Sequence, residues 1–214
     1  MELSYDPTLE LISLPDPETL PAYPIDLRRA IDQRCTLRHY QDQPLTQEEL
    51  SFLLWTTQGV KSVTNRPVTL RTVPSAGARH AFETYLVINR VEGIHPGLYR
   101  YISLEHVLLP LDVNEEIAEK VADACLQQNQ VTKSAVTFIW VAVTERMYWR
   151  YGERGYRYLH LDAGHVCQNL YLAAEAIQCG VCAIAAFDDD QLNEVLKLDG
   201  HELWAIYCGA LGKR

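Results

Sequence analysis

A chain of 214 residues, 48% hydrophobic and 22% charged, is long enough for one sizeable core and too evenly composed for wholesale disorder. Its net charge of −9 argues against a nucleic-acid partner, because phosphate contacts need a basic surface. Yet 14 of its 19 basic residues are Arg, whose planar fork suits phosphate and carboxylate groups, so local anion sites stay open within an acidic whole.

Residues 1–24 carry Pro7, Pro15, Pro17, Pro21 and Pro24, which predicts an extended arm, either disordered or wrapped on a second subunit. The start lacks the basic and apolar regions of a secretory signal. The longest apolar run, 135–143, is far short of the roughly 20 residues a membrane helix needs, so no membrane partner is expected. Six Cys without scaffold spacing read as reduced thiols, and a cytoplasmic location follows.

Residues 25–33 suit a short helix and 34–40 a polar, irregular link. Thr46 with Glu49 three positions on forms a capping box, opening a helix with Leu50, Leu53, Leu54 and Thr57 on one face and a stop at Gly59. Residues 61–73 are polar without a period and read as a loop; 74–77 is a turn. Strands are expected at 82–89 and 97–101, with 107–109 pairing to the second, then a helix at 114–128. The run 135–143 predicts a central strand buried on both faces. The longest helix is expected at 157–178, apolar nearly all round in its second half, with Gly180 ending it. A strand at 181–186, a short helix at 190–196 and a last strand at 203–210 complete the chain. Helices and strands mix without strict alternation, which favours an α+β fold in a single domain over 25–214.

Signatures of phosphate-binding, dinucleotide, zinc-protease and serine-hydrolase chemistry are missing from the sequence. What remains is less specific. Arg34, Thr36 and Arg38 could cradle a phosphate or form a solvated basic loop. Pro74, Ser75, Ala76 and Gly77 could let backbone approach a flat ligand, or be an ordinary turn. Residues 150–158 interleave aromatic and basic groups before the long helix, as a surface loop also would. Asp162, His165 and Asn169 share a helix face, where His165 reads as a satisfied structural histidine. Cys179 and Cys182 form a lone CxxC without the further ligands zinc would want, and Asp188–Asp190 reads as a helix cap, so no metal is expected.

In order, ArgCysThrLeuArgHisTyr (34–40), ProLeuThrGlnGluGluLeu (44–50), LeuLeuTrpThrThrGlnGly (53–59), ProSerAlaGlyAla (74–78), GlyLeuTyrArgTyr (97–101), ArgTyrGlyGluArgGlyTyrArgTyr (150–158) and the segments 163–173 and 183–190 resemble the nitroreductase superfamily, in particular its SagB-type dehydrogenase branch, which includes oxidases of peptide azolines. The resemblance implies an α+β fold with a mixed central sheet flanked by helices, the long helix at the interface of a homodimer, and FMN as cofactor. It implies an FMN-dependent oxidoreductase moving hydride from a donor, NADH or NADPH, to a small-molecule acceptor with ping-pong kinetics. A peptide-azoline dehydrogenase or oxidase, or a flavin-binding protein without turnover, is the alternative. By motif match Arg34, Thr36 and Arg38 would hold the FMN phosphate and ring edge, with Cys35 contributing backbone. Pro74, Ser75, Ala76 and Gly77 would line the flavin from the other subunit. Gln128, or Gln127 in a competing alignment, would meet the pyrimidine edge, backbone at Ile184 and Ala185 the reactive edge, and Lys213 and Arg214 the phosphate. Arg150 and Tyr151 stand where azoline oxidases have a Lys-Tyr pair; Arg is a poor base, which leaves Tyr151 as the titratable group.

Overall fold

The computed structural model describes residues 3–65 and 68–214. In chain order its elements are β1 (Ile12–Ser13), α1 (Leu27–Gln33), α2 (Gln47–Gln58), β2 (Val60–Val63), β3 (Thr69–Arg71), β4 (Phe82–Ile88), β5 (Gly97–Ile102), β6 (Val107–Asp112), α3 (Ile117–Ala124) and α4 (Gln130–Lys133). They continue with β7 (Val136–Val143), α5 (Thr144–Tyr151), α6 (Gly155–Ala176), β8 (Cys179–Ile184), α7 (Asp189–Val195) and β9 (Leu203–Lys213). Seven strands form one sheet in the order β1-β6-β5-β4-β7-β9-β8. This is the α+β architecture expected.

The sheet's centre follows from its residues. β7 is β-branched and aromatic along its whole length, and all eight of its residues are buried. Period two then divides the core. Phe138 and Trp140 turn to one face, where α2 and α6 cover them; Ile139 and Val141 turn to the other, where α3 and α7 do. Strand pairings in the sheet are antiparallel, and the mixed character comes from an irregular segment. Thr36 bridges Val181 in parallel, and the Leu37 amide donates to the Val181 carbonyl at 2.9 Å.

The capping box at α2 is present in full: the Glu49 amide donates to Thr46 Oγ1, and the Thr46 amide donates to Glu49 Oε2. Elsewhere the structure corrects the sequence reading. Residues 61–73 are no plain loop: β2 and β3 pair there, and a register shift between Val60 and Ser62 breaks the alternation that would have marked them. The helix expected over 114–128 ends at Ala124, because Leu126 and Gln127 adopt left-handed backbone (φ 56° and 58°), and a single turn, α4, follows. Helix α5 was not anticipated, and the 150–158 segment spans its end, a 3-10 turn and the start of α6, with Gly152 at φ 55° separating the helices. Gly180 lies inside β8 instead of ending a helix, and Leu37 packs where a β-carbon would stand.

The arm is extended, as its prolines dictate, but it lies on its own chain. Ile12 and Ser13 pair with Leu108 and Val107. The Ser51 hydroxyl bonds the Pro15 carbonyl at 2.7 Å and meets His106 Nε2 at 2.7 Å, while Tyr101 meets the other ring nitrogen at 2.7 Å. Arg100 donates to the carbonyls of Leu3 and Ser4.

Candidate functional site

Two regions gather the residues singled out from sequence. The first lies along β8. Arg34, the C-cap of α1, holds its guanidinium over the Tyr171 ring, 5.3 Å from the centroid. Tyr171 is a buried residue of α6 whose hydroxyl accepts from the Ala183 amide at 3.0 Å and sits 3.3 Å from Thr36 Oγ1. One tyrosine therefore fixes Arg34, Thr36 and β8 together, a role that sequence reading missed; its place in a helix apolar all round gave no separate signal. Cys35 and Thr36 are exposed. Arg38 opens into a cleft of about 710 Å³ lined also by His39, Tyr40, Asp42, Gln127, Gln128 and Lys133. Tyr40 is anchored beneath it by donating to the Ala210 carbonyl at 2.9 Å, and burial pushes its hydroxyl far up. Gln128 donates to the Ala186 carbonyl at 2.8 Å, which brings the end of β8 beside this cleft; Ile184 is buried and Ala185 exposed.

The second region is the 74–77 turn. The Ser75 hydroxyl donates to Asp162 Oδ2 at 2.6 Å, and the Ala76 amide reaches both carboxylate oxygens at 3.2 Å. Ser75 Oγ in turn accepts from the His80 amide at 2.9 Å. Between these ties the backbone is wound left-handed at Gly77 (φ 57°), Ala78 (φ 51°) and His80 (φ 44°), a stretch that costs energy for the two non-glycine residues. Arg79 Nε donates to the Arg146 carbonyl at 2.8 Å, and Arg146 pairs with buried Glu83, so the turn is held from α5 as well as from α6. A β-carbon on Gly77 would strike the Tyr151 hydroxyl and press on Arg150 Nε. Tyr151 and Arg150 therefore sit directly on this turn.

The electrostatics follow from burial. Asp162 is displaced upward by desolvation, partly offset by the Ser75 and Ala76 donors and by His165. His80 is lowered to about 4 by burial and by the nearby Arg71 charge.

Other expectations resolve differently. His165 is no satisfied core histidine: it is 53% exposed and 4.0 Å from Asp162 Oδ1. Asn169 on the same face donates to the Thr56 carbonyl at 2.8 Å. Cys179 and Cys182 are buried in the cores on opposite faces of the sheet, so the CxxC cannot close a disulfide or share a metal without breaking β8. Asp188 caps α7, accepting from the Gln191 amide at 3.0 Å. Lys213 is buried, paired with Glu49 and donating to the Ile177 carbonyl, and Arg214 pairs with Glu175. Among the described residues no helix is long and apolar enough to cross a membrane.

A family model described as the nitroreductase family matches residues 31–213. The chain belongs to the nitroreductase family. This family member is an oxidoreductase. It is 35% identical over 198 residues to MJ1384 of Methanocaldococcus jannaschii, a candidate nitroreductase, covering 92% of this chain and 95% of the relative. It is 30% identical over 133 residues to the trifolitoxin-processing protein TfxB of Rhizobium leguminosarum bv. trifolii, which spans 60% of this chain and 36% of TfxB. A candidate nitroreductase from Anabaena variabilis superposes with a TM-score of 0.80 at 28% identity, covering 97% of this nitroreductase and 42% of that longer chain.

Proposed function

We propose that this nitroreductase is an FMN-dependent enzyme of the SagB-type branch that works as a homodimer, passing reducing equivalents from NADH or NADPH to a small-molecule acceptor. The observation that carries the reading is the division of the site. Arg38 and Gln128 line one cleft at the end of β8, with Arg34 and Thr36 fixed along the same strand by Tyr171. The turn 74–77 is clamped at Asp162, nine residues from Tyr171 and so about 13.5 Å away along α6. A second copy that brings its own turn to the cleft completes the site.

The donor set suits a flavin mononucleotide: guanidinium groups and a hydroxyl for the phosphate, and an amide for the pyrimidine edge. Bound there, FMN supplies hydride acceptance and release, which no side chain offers. Arg34, Thr36 and Arg38 would hold it, with Cys35 through its backbone. Gln128 would orient it, and the chain at Ile184 and Ala185 would lie at its reactive edge. Lys213 and Arg214 would reach a phosphate only by leaving Glu49 and Glu175. The partner's copy of the turn would exclude water, and Tyr151, seated on it, would move a proton at the acceptor while Arg150 stays charged. Likeness to TfxB supports the branch, and Arg150 in place of a Lys argues against azoline oxidation.

The test is the visible spectrum of the purified protein followed by anaerobic addition of NADH and NADPH. A yellow protein that bleaches supports the reading, and parallel double-reciprocal lines would support the ping-pong order. A colourless protein that takes up no added FMN overturns it.

A further inference from the structure

Around the Gly77 turn, charge runs against the trend of the chain. The whole protein carries −9, yet Arg79 follows the turn, Arg150 ends α5, and Arg154 and Arg157 open α6, the helix that anchors the turn. Arg79 lays its guanidinium over the Trp149 ring, 4.8 Å from the centroid. Arg150 borders Gly77 and lies over the Tyr151 ring at 5.6 Å. Tyr151 meets Tyr158 edge-on, with ring centroids 4.7 Å apart. Arg154 stands one turn before Tyr158 on the α6 face that carries, one turn further on, Asp162, the anchor of the Gly77 turn. Arg157 flanks it. Arg150, Arg154 and Arg157 are exposed, and none of the three forms an ion pair among the described residues.

A solvated basic face would be unremarkable alone. This one borders the Gly77 turn through Arg150, beside the Tyr151–Tyr158 ring pair, and Trp149 next to Arg150 is 67% exposed. Stacking surface beside unpaired guanidinium forks recognises flat organic anions, by ring contact on one side and by paired N–H donors on the other.

We infer that the acceptor of this oxidoreductase is a flat small molecule bearing a carboxylate or phosphate, held by Arg150, Arg154 and Arg157 with its reducible end at Tyr151. The inference rests on the proposed flavin chemistry for the direction of electron flow, but the anion site itself is read by binding. For a nitroaromatic probe the reaction balances. The nicotinamide gives a hydride, and Tyr151 or solvent a proton. The nitro group then loses one oxygen as water and becomes nitroso.

The experiment compares 4-nitrobenzoate with its neutral counterpart 4-nitrobenzamide, following quenching of tryptophan fluorescence on the FMN-loaded protein, with Trp149→Phe to show that the rim reports. The carboxylate should bind tighter by on the order of tenfold at low salt, the gap closing at high salt. The gap should also close in the Arg154→Gln, Arg157→Gln double variant, whose exposed sites leave the fold intact. The benzoate-to-benzamide ratio of kcat/KM should move in parallel. Equal binding of the two probes overturns the inference and leaves the flavin reading standing. A rim that discriminates in an FMN-loaded protein no nicotinamide bleaches overturns the nicotinamide-donor part of the proposed function instead. If the double variant loses rate with NADPH but not with the phosphate-free donor 1-benzyl-1,4-dihydronicotinamide, and the probes behave alike, the rim serves the donor and the acceptor assignment is overturned.

Discussion

Replacing Asp162 with alanine should unfasten the 74–77 turn, and the cost can be worked from the structure. The carboxylate accepts the Ser75 hydroxyl at 2.6 Å and the Ala76 amide at 3.2 Å, and its side chain is 6% exposed, so solvent screening removes little. Two hydrogen bonds to a buried charge contribute about 3–6 kcal/mol. Burial displaces the Asp162 pKa upward despite those donors, so desolvation consumes part of the gain and the lower end, about 3 kcal/mol, is the better figure. In a chain of this size that lowers Tm by roughly 6–12 °C. Asp162→Asn keeps an acceptor for one donor and should lose about 1 kcal/mol. The sign of the pH dependence is fixed as well. An acid whose folded pKa lies above the unfolded value holds its proton longer when folded. Wild-type stability should therefore fall as pH rises from 3.8 through the raised value, then level off; Asp162→Asn should lack that fall. Scanning calorimetry of the three proteins across pH decides it. An alanine variant within about 1 kcal/mol of wild type would refute the clamp.

His80, buried and lowered to about 4, must stay neutral in the fold, so stability should drop as pH falls from 6.5 towards 4, by about 3 kcal/mol in all, and His80→Gln should flatten that limb in denaturant titrations. Gly77→Ala combines a left-handed φ of 57° with a collision at the Tyr151 hydroxyl; we expect about 1 kcal/mol of destabilisation but at least a tenfold loss of turnover, and an unchanged rate would mean that Tyr151 does not act there. Of the six thiols only Cys35 is exposed, so an aromatic disulfide reagent should titrate one fast in the flavin-free protein and the other five on unfolding. Two fast thiols would show that β8 opens readily at its CxxC.

Much of this was legible in the chain because local signals and tertiary demand agreed. Thr46 and Glu49 announce α2, and the β-branched run of β7 announces the sheet's centre, since each needs only its own residues to be understood. Where the reading failed, the deciding partner lay far away in sequence. β2 and β3 exist through each other and through a register shift that blurs their alternation. Tyr171 looks like one more apolar helix residue until β8 and Thr36 are brought to its hydroxyl. His165 reads as satisfied from the face it shares with Asp162 and Asn169, yet Asp162 is buried there while His165 stands at its edge, 53% exposed. The 74–77 turn was found by its small residues, but its anchor at Asp162 is visible only once α6 crosses it.

The two ends of the sheet carry a last consequence. An open strand invites a strand from another molecule, and both β6 and β8 are here partly covered by a short stretch of chain. On one side the proline-flanked arm spends Ile12 and Ser13 on β6, pinned by Ser51 and His106; on the other, Thr36 and Leu37 lie against Val181. At Val107, Leu108 and Val181 these contacts stand in the way of sheet extension. Deleting the arm would leave β6 without its partners at Val107 and Leu108. The fold could survive that loss, but a chain so trimmed would be expected to aggregate edge to edge in proportion to its concentration.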